Sequence, residues 1–119
     1  MTTRMSGRSK RIAELNDQLR KEPMNRSLGL VLVTAGIHNN GQSFVGKVLA
    51  AIAAMTPKDF KEGNDPYGER DFNSFTVDDQ ACLFKIDYYG KGDPHCGSEN
   101  PGDPAKTDRV MIVMLARDY

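Results

Sequence analysis

Asp71, Lys85 and Asp87 are the residues of this chain whose types and spacing come nearest to a catalytic set. They fall on two adjacent predicted strands. Two carboxylates with a lysine in such a place could hold a magnesium ion and support an attacking water, the chemistry of metal-dependent phosphodiester hydrolysis. Here the lysine precedes its acid, and alternate residues of a strand share a face, so an ion pair between Lys85 and Asp87 is the simpler expectation. Residues 41–47 fit the first seven positions of a phosphate-binding loop. The eighth, which should carry a magnesium-binding hydroxyl, is Val48, and Phe44, Val45 and Val48 are needed for an apolar helix face. His38, His95, Cys82 and Cys96 are the only nitrogen and sulfur ligands, and none are spaced for zinc. Adjacent residues rarely aim at one target, which argues against His95 and Cys96 as base and nucleophile. Asp93, Glu99 and Asp103 lie beside Gly and Pro, where acids serve turns more often than cations. No catalytic group, metal or cofactor is expected.

The segment 63–72 is the most distinctive in composition, with two Gly, one Pro, four charges and two aromatics in ten residues. Asp65 before Pro66 is held extended, Pro66 fixes its own φ, and Gly68 permits a positive φ. That is a turn which leaves Tyr67, Glu69, Arg70 and Asp71 free for contacts elsewhere.

The elements that must position these residues follow from periodicity. Over 9–21, Ile12, Leu15 and Leu19 form one helical stripe while Lys10, Arg11, Asp17 and Arg20 point away; Ser9 is the expected N-cap and Pro23 the stop. Residues 28–34 are nearly all apolar and predict a strand covered on both faces or central in the sheet. A turn region over 35–42 leads to a second helix over 43–55, with Phe44, Val48, Ile52 and Met55 on its inner face. Strands over 73–77 and 80–89 join at Asp78-Asp79 as a hairpin, with Cys82, Phe84, Ile86 and Tyr88 on the core side. Eighteen Gly-, Pro- and Asp-rich residues, 90–107, predict a long irregular loop, and 108–116 a central closing strand. The resulting fold class is α+β: a single four-stranded, mostly antiparallel sheet with two helices on one face, in the order α-β-α-β-β-β.

At 119 residues, with 39% hydrophobic and 27% charged residues, this is one domain over 9–119 preceded by a basic arm over 1–8 without fixed structure. No apolar run follows Arg4, Arg8, Lys10 and Arg11, which argues against a signal peptide. The longest apolar run, 44–55, is too short to cross a bilayer. Two cysteines make no disulfide framework, so a reducing, cytoplasmic setting is expected, with no membrane partner. The formal net charge is zero, but residues 1–26 carry seven Lys/Arg against Glu14, Asp17 and Glu22, whereas 62–108 carry eleven acids against Arg70, Lys85, Lys91 and Lys106. The acidic body suits a protein partner with a basic surface, and the basic arm suits nucleic acid.

Several motifs together resemble a family of small bacterial proteins of unknown function: 64–72 (NDPYGERDF), 84–89 (FKIDYY), Gly97-Ser98 with Asp103-Pro104, 109–116 (RVMIVMLA) and Tyr119, with 11–17 and 33–36 upstream. This chain has Arg70 where that pattern usually has His, and Asn73 where it usually has Gly. The resemblance implies a setting in alphaproteobacteria, often on plasmids and other mobile elements, and no activity. The expected function is therefore a non-enzymatic interaction protein, in its narrower form an anti-defence inhibitor whose acidic surface imitates nucleic-acid phosphates. The alternative is the phosphodiester hydrolase built on Asp71, Lys85 and Asp87. A hairpin turn at Asp78-Asp79 puts the start of one strand and the end of the next together, so 63–72 and 90–107 should be neighbours. Their shared surface would be Tyr67, Glu69, Arg70, Asp71, Asp87, Tyr89, Asp93 and His95, unless Arg70 merely pairs with Asp87 or Asp93.

Overall fold

The computed structural model describes residues 7–61 and 63–119. Helix α1 (Gly7–Lys21) is followed by strand β1 (Leu30–Val33), the short helix α2 (Ala35–His38), helix α3 (Gln42–Ala53), and strands β2 (Phe72–Val77), β3 (Gln80–Gly90), β4 (Asp93–Gly97) and β5 (Thr107–Leu115). The fold is α+β, as the periodicity requires. The sheet, however, has five strands and is mixed, in the order β1-β5-β3-β2, with β4 pairing with the end of β3. The two departures from the expected four strands and two helices both lie where glycine and proline conceal short elements. α2 occupies the expected turn over 35–42, and β4 the expected loop over 90–107.

β5 lies centrally between β1 and β3, as its uninterrupted apolar run requires. β1 runs parallel to β5, from Leu30 opposite Val110 to Val33 opposite Val113, but it forms the edge of the sheet and is not a covered central strand. Leu32 is 46% exposed. The lead-in to β1 presses on β5 so closely that a Cβ on Gly29 would lie 2.6 Å from the Arg109 carbonyl oxygen. β2 and β3 form the expected hairpin, and Asp78 and Asp79 both take the left-handed conformation of a tight two-residue turn.

The core lies on the face bearing Cys82, Phe84, Ile86, Met111 and Val113, against Leu19 of α1, Ile37 of α2, and Phe44, Val48 and Ile52 of α3. The α1 stripe Ile12, Leu15 and Leu19 is buried, but Gly7, Arg8 and Ser9 are already helical, so Ser9 is no cap. The rest of the expected basic arm, residues 1–6, lies outside the described residues. Arg20 does not point away; it is 1% exposed. Overall extents of 38 × 38 × 22 Å fit two layers, one of helices and one of sheet. On the second sheet face Leu83 and Met114 are buried and Tyr119 rests on Phe72, ring centroids 6.0 Å apart, whereas toward β1 the face opens at Leu32. Among the described residues no helix is long and apolar enough to cross a membrane.

Candidate functional site

Two arrangements of side chains stand out. The first is a polar junction where α1 meets the 63–72 turn and the last turns of the long loop. Gly68 has φ 69° and its N–H bonds to the Asp65 carbonyl, the turn expected from its sequence. Arg70 also has a positive φ, 54°, and its N–H donates to Asp65 Oδ1 at 3.0 Å. That unusual backbone turns the guanidinium inward, where Nε and Nη2 donate to the two Asp17 oxygens at 2.9 and 2.7 Å. Arg20 Nη1 reaches the same carboxylate at 2.8 Å and its guanidinium stacks on Phe60 at 4.9 Å. Burial pushes the Asp17 carboxyl up, but the bonds from Arg70 and Arg20 outweigh it and hold the carboxyl below its ordinary value. Arg70 therefore pairs with α1, and neither Asp87 nor Asp93 is its partner.

Beside this triad, the Tyr88 hydroxyl receives a bond from Asn16 Nδ2 at 2.8 Å and donates to Glu69 Oε1 at 3.0 Å. Asp71 lies near the same hydroxyl, which favours its charged form. Burial, then the Glu69 charge, push its carboxyl up to about 6. Arg109 is 4% exposed and has no carboxylate partner among the described residues; its Nε donates to Asn16 Oδ1 at 2.7 Å and its Nη2 to the Pro101 carbonyl. Asn16 bonds the Glu69 carbonyl (3.0 Å) and Arg109, and Arg109 bonds the Pro101 carbonyl, so 63–72 and 90–107 are linked through these two side chains at one end of the sheet. Most of the polar groups named here engage one another, which makes the junction a clasp, although Arg20 Nε is buried without a hydrogen-bond partner among the described residues.

The second arrangement is a groove of about 670 Å³ at the uncovered end of the sheet. Leu30, Leu32, Val110, Ile112 and Tyr89 form its apolar floor; Pro94 of β4 and Pro104 stand on one side and Arg11, Leu15 and Gln18 of α1 on the other. Arg11, Arg26 and Lys91 bring positive charge to the rim. Arg11 is paired with Glu14 at 3.5 Å and Lys91 with Asp108 at 3.3 Å, whereas no ion pair engages Arg26 among the described residues.

The eight residues expected to share one surface are divided by this geometry. Tyr67 is 71% exposed at the tip of its turn. Glu69, Arg70 and Asp71 belong to the clasp. Asp87 lies on the opposite sheet face, bonded to Lys85 at 3.1 Å. Tyr89 lines the groove, and Asp93 and His95 are exposed on β4. Asp71 and the Lys85–Asp87 pair are therefore on opposite faces of the sheet and cannot hold one metal ion. Among the described residues no group of three His, Cys, Asp or Glu could do so. Cys82 is buried and Cys96 exposed, both as free thiols. The sequence reading missed Asn16, Asp17, Arg20, Tyr88 and Arg109 as the residues that organise this end. The available signal was Arg109, a cation in register with the core-facing residues of an apolar strand.

Residues 33–118 match the model of a family described as protein of unknown function (DUF3768), and the chain belongs to that family. No curated protein and no solved structure matches it. The matched residues include the 63–72 turn, Tyr88 and Arg109. The α1 partners Asn16, Asp17 and Arg20, and the 11–17 motif with them, lie before the match.

Proposed function

We propose that this chain is a small non-enzymatic interaction protein of mobile genetic elements, acting in the cytoplasm on a protein of the host or of the element, and that its partner docks on the uncovered end of the sheet. The observation that carries this reading is the groove itself: an apolar floor of Leu30, Val110 and Ile112, half-buried, and Leu32, exposed, in a small two-layer protein. Contiguous apolar surface with a polar rim marks binding sites more often than it marks chance. The enzymatic reading has no comparable support, since Asp71 is separated from Lys85 and Asp87.

An anti-defence role fits a protein that occupies a host protein's interface. The version in which its acids imitate phosphates is less favoured, because Glu69 and Asp71 are engaged at Tyr88. The basic rim of the groove favours an acidic partner surface instead.

The test is affinity capture from an alphaproteobacterial lysate with the wild-type chain and with Ile112→Lys, a change on the open face. The expected result is one partner retained by the wild type and lost by the variant, with unchanged melting. Capture that ignores Ile112→Lys sinks the reading.

A further inference from the structure

The groove runs beside an unusual strand. β1 is the edge of the sheet and reads Leu-Val-Leu-Val, with no charge, proline or bulge to discourage pairing. Natural sheets usually blunt such edges. The opposite edge of this sheet is blunted: the N–H of Ile86 donates to the Asp71 carbonyl, so by alternation Ser74 faces outward on β2, and its N–H is taken by Asn73 Oδ1 at 3.0 Å. On β1 the Thr34 N–H donates inward to the Val113 carbonyl at 3.0 Å. By alternation Leu30 and Leu32 also face β5, and Val31 and Val33 direct their N–H and C=O groups outward. Among the described residues no hydrogen bond reaches those outward groups.

We infer that β1 receives an extended, acidic segment of the partner as an added strand. This rests on the interaction reading above and names its chemistry. An incoming strand pairs its backbone with Val31 and Val33 over about 13 Å, the length of four residues. Its side chains then alternate between two environments. One set lies beside Leu30 and Leu32 on the apolar floor. The other lies on the α1 side, beside Val31 and Val33, with Arg11 and Arg26 lining the same groove. Arg11 and Lys91 on the rim are paired with Glu14 and Asp108, which leaves Arg26 as the rim cation without an ion pair among the described residues, so the segment that complements it alternates apolar and acidic residues. Backbone pairing supplies affinity and the alternate side chains supply selectivity.

The probe is a fluorescein-labelled ten-residue peptide of alternating valine and glutamate, titrated with the full chain and read by fluorescence anisotropy. Saturable binding in the micromolar range is expected, lost for the peptide of alternating valine and lysine. It is also lost when alternate peptide nitrogens are methylated, a change that touches nothing in the protein. Arg26→Glu weakens binding about tenfold. Val31→Pro removes an outward N–H that β5 does not use, so the variant keeps its fold and loses the peptide. Equal binding of the lysine peptide, indifference to N-methylation, or no binding overturns the inference. So does a concentration-dependent dimer abolished by Val31→Pro, which gives the edge to a second copy. If the peptide fails while Ile112→Lys still abolishes capture, strand addition falls and the interaction reading stands.

Discussion

Asp17 accepts from the buried Arg20 guanidinium and the half-buried Arg70 guanidinium at once, and its removal takes the paired carboxylate from both. A charge left unpaired in a protein interior is far costlier than the pair was stabilising. Asp17→Asn should therefore destabilise the fold by roughly 3 kcal/mol, read from urea midpoints at pH 7. The folded carboxyl titrates below 3.8, so this contribution is complete above about pH 4 and fades as pH falls through the folded value. The gap between wild type and variant must close on strong acidification, and a constant gap would show that the carboxylate charge is not its origin. Asp71 behaves in the opposite sense. Its folded carboxyl titrates at about 6 and its unfolded one near 3.8, so the folded state binds the extra proton between those values. Stability from this group falls as pH rises across that window. Asp71→Asn should be more stable than wild type at pH 7.5 and indistinguishable from it near pH 3.5, by melting temperature.

Among the elements, β3 was the most legible. Its alternation put Cys82, Phe84 and Ile86 on the core side, and the register with β5 puts them against Leu115, Val113 and Met111. Ile86 is 4% exposed, and Ile86→Ala should cost about 2–5 kcal/mol in chemical denaturation. A loss under about 0.5 kcal/mol would mean that the site collapses around the missing methyls. α3 was equally plain, because Phe44, Val48, Ile52 and Met55 recur at helical spacing and all are buried. β1 was misread for a physical reason. A fully apolar run indicates a covered strand only when the cover belongs to the same chain, and here one edge and much of one face are open. β4 was not legible, because its five residues are all exposed and no apolar alternation marks them. At the candidate site, the turn at Gly68 could be derived from its residues. The inward rotation of Arg70 could not, since it depends on Asp65 and on an α1 residue 53 positions away.

At the scale of the whole molecule, α1 is the element that closes the fold, although the family match begins only at residue 33. It contributes Leu19 to the core, Asn16 to Tyr88 and Arg109, and Asp17 to Arg70. Those three partners all lie within the matched residues and are buried or half-buried. Without α1, among the described residues, Arg109 keeps the Pro101 carbonyl as the one hydrogen bond of its side chain, and Arg70 loses the carboxylate its side chain pairs with. The core loses Leu19, and the Tyr88 hydroxyl loses Asn16, at the same time. Loss of the helix therefore exposes apolar surface and strands two cations at once, more than the roughly 5–15 kcal/mol by which a domain of this size is stable. A chain beginning at Arg26 should show no cooperative thermal transition by circular dichroism. Adding a peptide of residues 7–25 in trans should restore one, and the same peptide with Asp17→Ala should restore it poorly. A sharp transition in the shortened chain alone would mean that the matched residues fold without the helix and that the clasp only decorates them.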